Sequence, residues 1–337
     1  MTTITAGYDA GGAHLKVARA ENGRITAAAE FPCPLWNGIE SLDAALDLAD
    51  EITRGAHHHA VTMTGELCEL FPSRHDGVVR ITRHFADRLG DSTRFYCGLK
   101  GFGDTAAALA DTTSVGSANF LATAQVIART RAKALLIDMG STTTDIVACD
   151  RPQGLTDAER LQTGELVYTG FTRTPVPSVT TRGVLAGQWQ TLARDVFATM
   201  ADVRRLLGEL PDDIAADTAS DGRGASIEES LTRLARGFGR DAEMRHLATW
   251  KNTAAHIRDA QLRSIYDGAI QVLSRPGLDV DCVVTAGIGA PIAAAIANRL
   301  GLPSMTFGAL VPADDACRLA VTRYAPAAAV ALLNARG

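Results

Sequence analysis

The sequence predicts an α/β protein built from two related halves. Three observations carry that prediction. A pattern of strand, Asp, small residue, Gly, polar turn and returning strand runs through Tyr8–Val17 and again through Ile137–Ile146. The two copies stand about 130 residues apart, the spacing of duplicated domains rather than of a solenoid. A Gly-x-Gly turn at Gly287–Gly289 then precedes an Ala-rich helix. The length of 337 residues agrees, because single cores stop growing at about 250–300 residues.

The elements follow in chain order. Ile4–Asp9, Leu15–Ala20 and Ile25–Phe31 read as an antiparallel meander, with Asn22-Gly23 as the hairpin signal. Leu42, Ala45, Leu46 and Ala49 recur at helical spacing within Ile39–Thr53. Ala60–Thr64 is a short strand, Val78–Leu89 a helix, Phe95–Cys97 a strand and Ala118–Ala128 a buried helix. The second half opens with a strand at Ala134–Asp138, a Gly/Ser/Thr loop at Gly140–Thr144 and a returning strand at Asp145–Cys149. The middle is less regular. Leu166–Thr172 is strand-like, Val184–Met200 and Ile227–Gly237 read as helices, and Asp212–Gly224 reads as a loop. Leu247–Leu273 is one long helical pattern. Val280–Thr285 is a strand, Ala290–Leu300 a helix and Ala325–Ala335 a closing helix.

Composition narrows the function classes. With 33 Lys+Arg against 38 Asp+Glu the net charge is −5, and no basic stripe with aromatics offers itself to nucleic acid. The apolar content of 46% excludes disorder. No apolar run reaches the ~18 residues of a membrane span, and Met1–Ile4 carries no signal-peptide pattern, so a cytoplasmic protein without a membrane partner is expected. The six cysteines are scattered, which fits neither a disulfide framework nor a zinc ribbon. Gly, at 31 residues, is in excess. Such an excess either loosens loops or lets backbone approach a ligand closely.

Three segments carry candidate chemistry. Asp9 ends a strand, and a strand-end carboxylate can hold hydrated Mg²⁺. Gly11 and Gly12 follow it, letting backbone N–H groups approach phosphate oxygens, with His14 inside the loop and Lys16 on the return strand. The plainer alternative is a simple hairpin. Asp138 repeats the metal-holding position, and Gly140, Ser141, Thr142 and Thr143 make an anion cradle that Asp145 caps or orients. Good turn residues alone are the alternative there. Gly287 and Gly289 precede a helix whose N-terminus suits an anion, or else merely pack it on a sheet. His57–His59 read as a solvated loop rather than a metal site. Trp36, Trp189 and Trp250 read as core or interface anchors. Arg204, Arg205, Arg233 and Arg236 read as a solvated helix face, from which one could meet an anionic tail.

Together the three segments resemble the actin-like ATPase superfamily, with its duplicated, ribonuclease H-like two-domain fold and central cleft. The resemblance implies a first domain at 1–130, joined by the C-terminal helix 320–337, and a second at 131–319 with a helical insertion. Gly7–Lys16, Thr62–Leu67, Ile137–Asp145 and Gly164–Gly170 narrow the likeness to the hydantoinase A/oxoprolinase-like family. Pro34–Trp36, Ser117–Phe120 and Phe197–Val203 are similar to its branch linked to tetrahydromethanopterin-dependent one-carbon metabolism and methanofuran or methylofuran biosynthesis.

That branch implies a transferase with small-molecule partners. It would join an aminomethylfuran-methyl diphosphate to the phenol of a (γ-glutamyl)tyramine-type acceptor, releasing diphosphate and forming an aryl ether. Mg²⁺ at Asp9 and Asp138, with Lys16 and the loop donors, would neutralise the leaving group. Glu66, in the motif Thr64-Gly65-Glu66, is the candidate base, with an ordinary first-turn acid as its alternative. Thr64, Glu165 and Arg173 are the candidate substrate contacts. The same loops would serve ATP in an oxoprolinase-type amidohydrolase or a small-molecule kinase, or in a non-catalytic nucleotide-binding module. An oligomer is compatible with the sequence.

Overall fold

A computed structural model describes residues 2–214, 219 and 221–335. The first sheet contains β1 (Ile4–Ala10), β2 (His14–Glu21), β3 (Arg24–Pro32), β4 (His58–Met63), β5 (Thr93–Tyr96) and β6 (Phe102–Gly103). Their spatial order is β3-β2-β1-β4-β5-β6. The second contains β7 (Ala134–Met139), β8 (Thr144–Ala148), β9 (Leu166–Val167), β12 (Cys282–Ala286) and β13 (Ser304–Thr306), ordered β9-β8-β7-β12-β13. Each sheet thus runs third-second-first-fourth-fifth, and the first adds a sixth strand at its edge. In each, the first hairpin is antiparallel and the fourth strand joins the first in parallel. The duplication seen in the sequence is a duplication of topology. Register sharpens it: Asp9 faces Lys16 across the first hairpin, and Asp138 faces Asp145 across the second.

Two helices lie between the sheets. Asn119–Ala128 packs on β7 and β8, and Ala325–Asn334 packs on β1, β2 and β4. Their alanines join residues of both sheets in one core. The closing helix approaches β1 so closely that a Cβ on Gly7 would lie 2.2 Å from the Ala327 carbonyl oxygen. Among the described residues no single helix is long and apolar enough to cross a membrane.

The middle of the chain differs from expectation in three respects. Val184–Met200 is not a helix. It contains the hairpin of β10 (Arg182–Leu185) and β11 (Gln188–Thr191), and its helix begins only at Met200. Ala186 (φ 50°) and Gly187 (φ 79°) form the two-residue left-handed turn, a pair outside the usual Asn-Gly signal. Of the strand-like Leu166–Thr172, only Leu166–Val167 pairs with β8, and the rest is loop. The arginines expected on a solvated face divide: Arg204 and Arg233 are fully buried, whereas Arg236 stays partly exposed. Of the expected loop Asp212–Gly224, residues 215–218 and 220 lie outside the described residues, as do 336–337 of the closing segment. The hairpin and the helices Met200–Leu207, Ile227–Gly237 and Leu247–Leu273 close a separate core around Val203, Leu234 and Trp250.

Candidate functional site

The two hairpin turns open onto one cavity of about 480 Å³ between the sheets. Asp9 stands near the end of β1 and Asp138 near the end of β7, because strand-end positions place side chains at the mouth of a parallel β1–β4 or β7–β12 pair. Each turn closes with the same bond: the Gly11 N–H donates to the His14 carbonyl at 3.0 Å, and the Gly140 N–H to the Thr143 carbonyl at 3.0 Å. A second loop is tied onto each turn. Leu35 N–H donates to the Gly12 carbonyl, Phe171 N–H to that of Gly140 and Arg173 N–H to that of Ser141. The N–H groups of Gly12, Ala13, Ser141 and Thr142 take no part in these backbone bonds. With the Ser141, Thr142 and Thr143 side chains on the wall, they form a donor-rich cradle.

Buried carboxyls set the electrostatics of the site. Asp9 Oδ1 is buried with no hydrogen-bond partner, and Oδ2 lies 3.8 Å from Lys16 Nζ. Burial pushes the Asp9 carboxyl up, and Lys16 pulls it part of the way back. Asp138 is pushed well above the usual carboxylate range, first by burial and then by the neighbouring charges of Asp145 and Asp9. Asp145 is also raised by burial, with Arg160 opposing. The carboxylates therefore fit Mg²⁺, which takes one or two carboxylates and fills its shell with water and phosphate oxygens. Among the described residues no group of three or more His, Cys, Asp or Glu forms an all-protein metal cage.

Most of the expected site residues meet on this wall: Asp9, Gly11, Gly12, His14, Lys16, Thr64, Asp138, Gly140, Ser141, Thr142, Thr143, Arg173 and Gly287. Four expectations need correction. Glu66 does not line the cavity. Its buried carboxylate accepts from Ser117 Oγ at 2.6 Å and pairs with Arg74 at 3.3 Å. Glu165 is also enclosed, accepting from the Gln153 and Gly154 N–H groups and from Thr163, and pairing with Arg275. The N–H groups of Gly287 and Gly289 are spent inside the protein, on the carbonyls of Thr322 and Met139. Gly287 has φ 79°, and a Cβ there would lie 2.3 Å from the Met139 carbonyl oxygen, so this turn is close packing rather than an anion cradle. Of the three tryptophans only Trp250 is a core residue: Trp36 is 48% exposed, on the cavity wall, and Trp189 is 56% exposed.

The histidine run also sits differently. His58 and His59 begin β4, and His59 Nδ1 lies 2.9 Å from the buried Tyr8 hydroxyl. Sequence reasoning missed Asp157 and Arg160. Asp157 pairs at 3.3 Å with Arg74 of the other half, and Arg160 pairs with Asp145. Their signal was the capping box Thr156-x-x-Glu159, which starts the helix Asp157–Thr163.

Comparison with known proteins gives the family. Residues 58–313 match the description Hydantoinase/oxoprolinase. The chain is 28% identical over 296 residues to the (4-{4-[2-(γ-L-glutamylamino)ethyl]phenoxymethyl}furan-2-yl)methanamine synthase of Methanocaldococcus jannaschii, covering 87% of this chain and 88% of that one. It is 33% identical over 106 residues to the like-named synthase of Methanococcus vannielii, covering 30% of this chain and 47% of that one. Among solved structures, nucleotide-free acetone carboxylase is 10% identical with a TM-score of 0.57, covering 90% of this chain and 68% of that one. A ROK-family glucokinase of Streptomyces griseus is 14% identical with a TM-score of 0.50, over 100% of both chains. At such identities these two bear on the fold alone, which is of the actin-like ATPase type. With that fold and a family match across most of its length, the chain belongs to the hydantoinase/oxoprolinase family.

Proposed function

We propose that the protein is a transferase of methanofuran or methylofuran biosynthesis that forms an aryl ether. It would condense an aminomethylfuran-methyl diphosphate with the phenol of a (γ-glutamyl)tyramine-type acceptor. The observation that carries the reading is the cavity floor: a donor-rich cradle beside two strand-end carboxylates, one with an orphaned oxygen. The likeness to a synthase whose product is a phenoxymethylfuran supplies the substrate class.

The bond between the furanyl methylene carbon and the diphosphate oxygen breaks, and the oxygen keeps the electron pair. The phenol oxygen bonds to the same carbon, and the phenolic proton leaves to a base. A divalent cation held by Asp9 and Asp138 would neutralise charge on the departing diphosphate. Lys16 adds positive charge at the first turn, and the N–H groups of Gly12, Ala13, Ser141 and Thr142 receive its oxygens. A phenol of pKa about 10 needs an acceptor for its proton. Glu66 is walled off, so the role passes to His14, whose Nδ1 lies 4.0 Å from Glu30 on the cavity wall.

The decisive assay is incubation with the furan diphosphate, γ-glutamyltyramine and Mg²⁺, with mass-spectrometric detection of the ether. Ether formation that requires Mg²⁺ supports the reading. No ether, together with ATP hydrolysis stimulated by a cyclic amide, would replace it with the amidohydrolase chemistry suggested by the family description.

A further inference from the structure

The cavity has a second character at its rim. Trp36 (48% exposed) and Tyr168 (65% exposed) both stand on the cavity wall, one from each half of the chain. The Arg173 guanidinium sits 5.7 Å from the centre of the Trp36 ring, from the opposite half. A large aromatic side chain left in water beside a cavity gains by covering its face with another ring. One face of the indole carries the guanidinium, yet nearly half of Trp36 remains open. A guanidinium carries five N–H donors in one plane, so one that already has a partner and a ring beneath it can still receive a carboxylate.

The backbone fixes where this rim stands. Leu35, next to Trp36, is hydrogen-bonded to Gly12 of the first turn, and Arg173 to Ser141 of the second. The rim is therefore held in register with both turns of the cavity floor. A ring placed against Trp36 is at a set distance from whatever the turns hold, which is what reaction between two bound partners requires.

We propose that Trp36, Tyr168 and Arg173 form the subsite for an aromatic acceptor with an anionic tail. Trp36 and Tyr168 hold the arene, and Arg173 takes the carboxylate of the tail. The assignment rests on the transferase reading and deepens it by naming the acceptor side of the cleft.

The test is calorimetric titration of the full chain with N-γ-glutamyltyramine, with tyramine and, separately, with inorganic diphosphate plus Mg²⁺. The parent protein binds γ-glutamyltyramine more tightly than tyramine. Trp36→Ala weakens both about 10-fold, and Trp36→Phe restores most of the loss. Arg173→Gln removes the preference for the glutamylated compound. Diphosphate binding stays within about 2-fold in every variant, which also reports intact folding. Parent-like acceptor binding by Trp36→Ala, an unchanged preference in Arg173→Gln, or diphosphate affinity falling in step would each overturn the subsite. Trp36-dependent acceptor binding by a protein that forms no ether would defeat the transferase reading and leave the subsite standing. Ether formation at parental KM by Trp36→Ala would do the reverse.

Discussion

Asp138→Asn is the sharpest perturbation of the proposed cation site. Asp138 is buried beside Asp145 and Asp9, and its carboxyl is pushed well above the ordinary range. Without a cation, its ionised form weakens the fold. Stabilising substitutions commonly return about 0.5–2 kcal/mol each. At roughly 2–4 °C per kcal/mol, the figure for chains somewhat shorter than this one, the variant melts about 1–8 °C higher than the parent in chelator. The sign depends on pH. A carboxyl raised in the folded state contributes stability that is fully present below its unfolded-chain value of about 3.9 and is lost as pH rises through the folded value. The gap between variant and parent therefore closes toward acid and opens toward neutrality. Mg²⁺ acts the other way. At 100 times its Kd a ligand adds about 2.7 kcal/mol to the parent, and most of that gain is missing from the variant. Differential scanning fluorimetry at several pH values, with and without MgCl₂, reads all of this. A variant less stable than the parent in chelator, or one with an undiminished Mg²⁺ shift, would refute the electrostatic argument.

Three further outcomes follow from the same geometry. Gly170→Ala puts a Cβ 2.4 Å from backbone atoms of Ser141 and Thr142, so no side chain can yield; a loss of about 1–3 kcal/mol by chemical denaturation and at least 10-fold weaker diphosphate binding by calorimetry are expected. Arg204→Met strips donors from the Phe171 carbonyl, the Gln261 amide oxygen and Glu209, and should cost about 3 kcal/mol in urea unfolding, a loss that Gln261→Leu repeats only in part. Glu66→Gln keeps the shape of a buried carboxyl that burial pushes toward its protonated form, so kcat should stay within about 3-fold of the parent; a loss of 100-fold or more would return Glu66 to the role of base.

How much was legible in the sequence depends on how local the cause was. Strand, Asp, Gly, turn and strand are dictated by neighbours, so both hairpins and both strand-end carboxylates were readable. The helix Leu247–Leu273 was readable because its period is sustained over many turns. Glu66 misled because Thr64-Gly65-Glu66 follows a strand that does reach the cavity wall, at Thr64, yet the chain then turns into a 3₁₀ segment and buries the carboxylate. Nothing local distinguishes those two outcomes. They are decided by Ser117 and Arg74, 51 and 8 residues away. The buried arginines failed for a similar reason. Arg204 lies on the short amphipathic helix Met200–Leu207, where it resembles any surface charge until Gln261, 57 residues on, closes over it. The glycine excess divides in the same way: Gly11, Gly12 and Gly140 shape turns at the cavity, whereas Gly287 and Gly289 serve contact with Met139.

The duplicated halves are alike in topology and unlike in charge, and that difference gives the cleft a direction. The position opposite the strand-end carboxylate is Lys16 in the first half and Asp145 in the second. Lys16 partly neutralises Asp9, so the first turn suits the anionic end of a substrate. Asp145 adds repulsion to Asp138, and Arg160, which pairs with Asp145, relieves only part of it. The second floor is thus the more electronegative and is where a cation gains most. On the proposed reading, the anionic end of the substrate would gain most beside Lys16, and the cation that Asp9 and Asp138 would share would gain most from Asp138. A duplicated fold with identical turns would leave the two ions interchangeable. One Lys in place of an Asp, at a single register position, would be enough to order them.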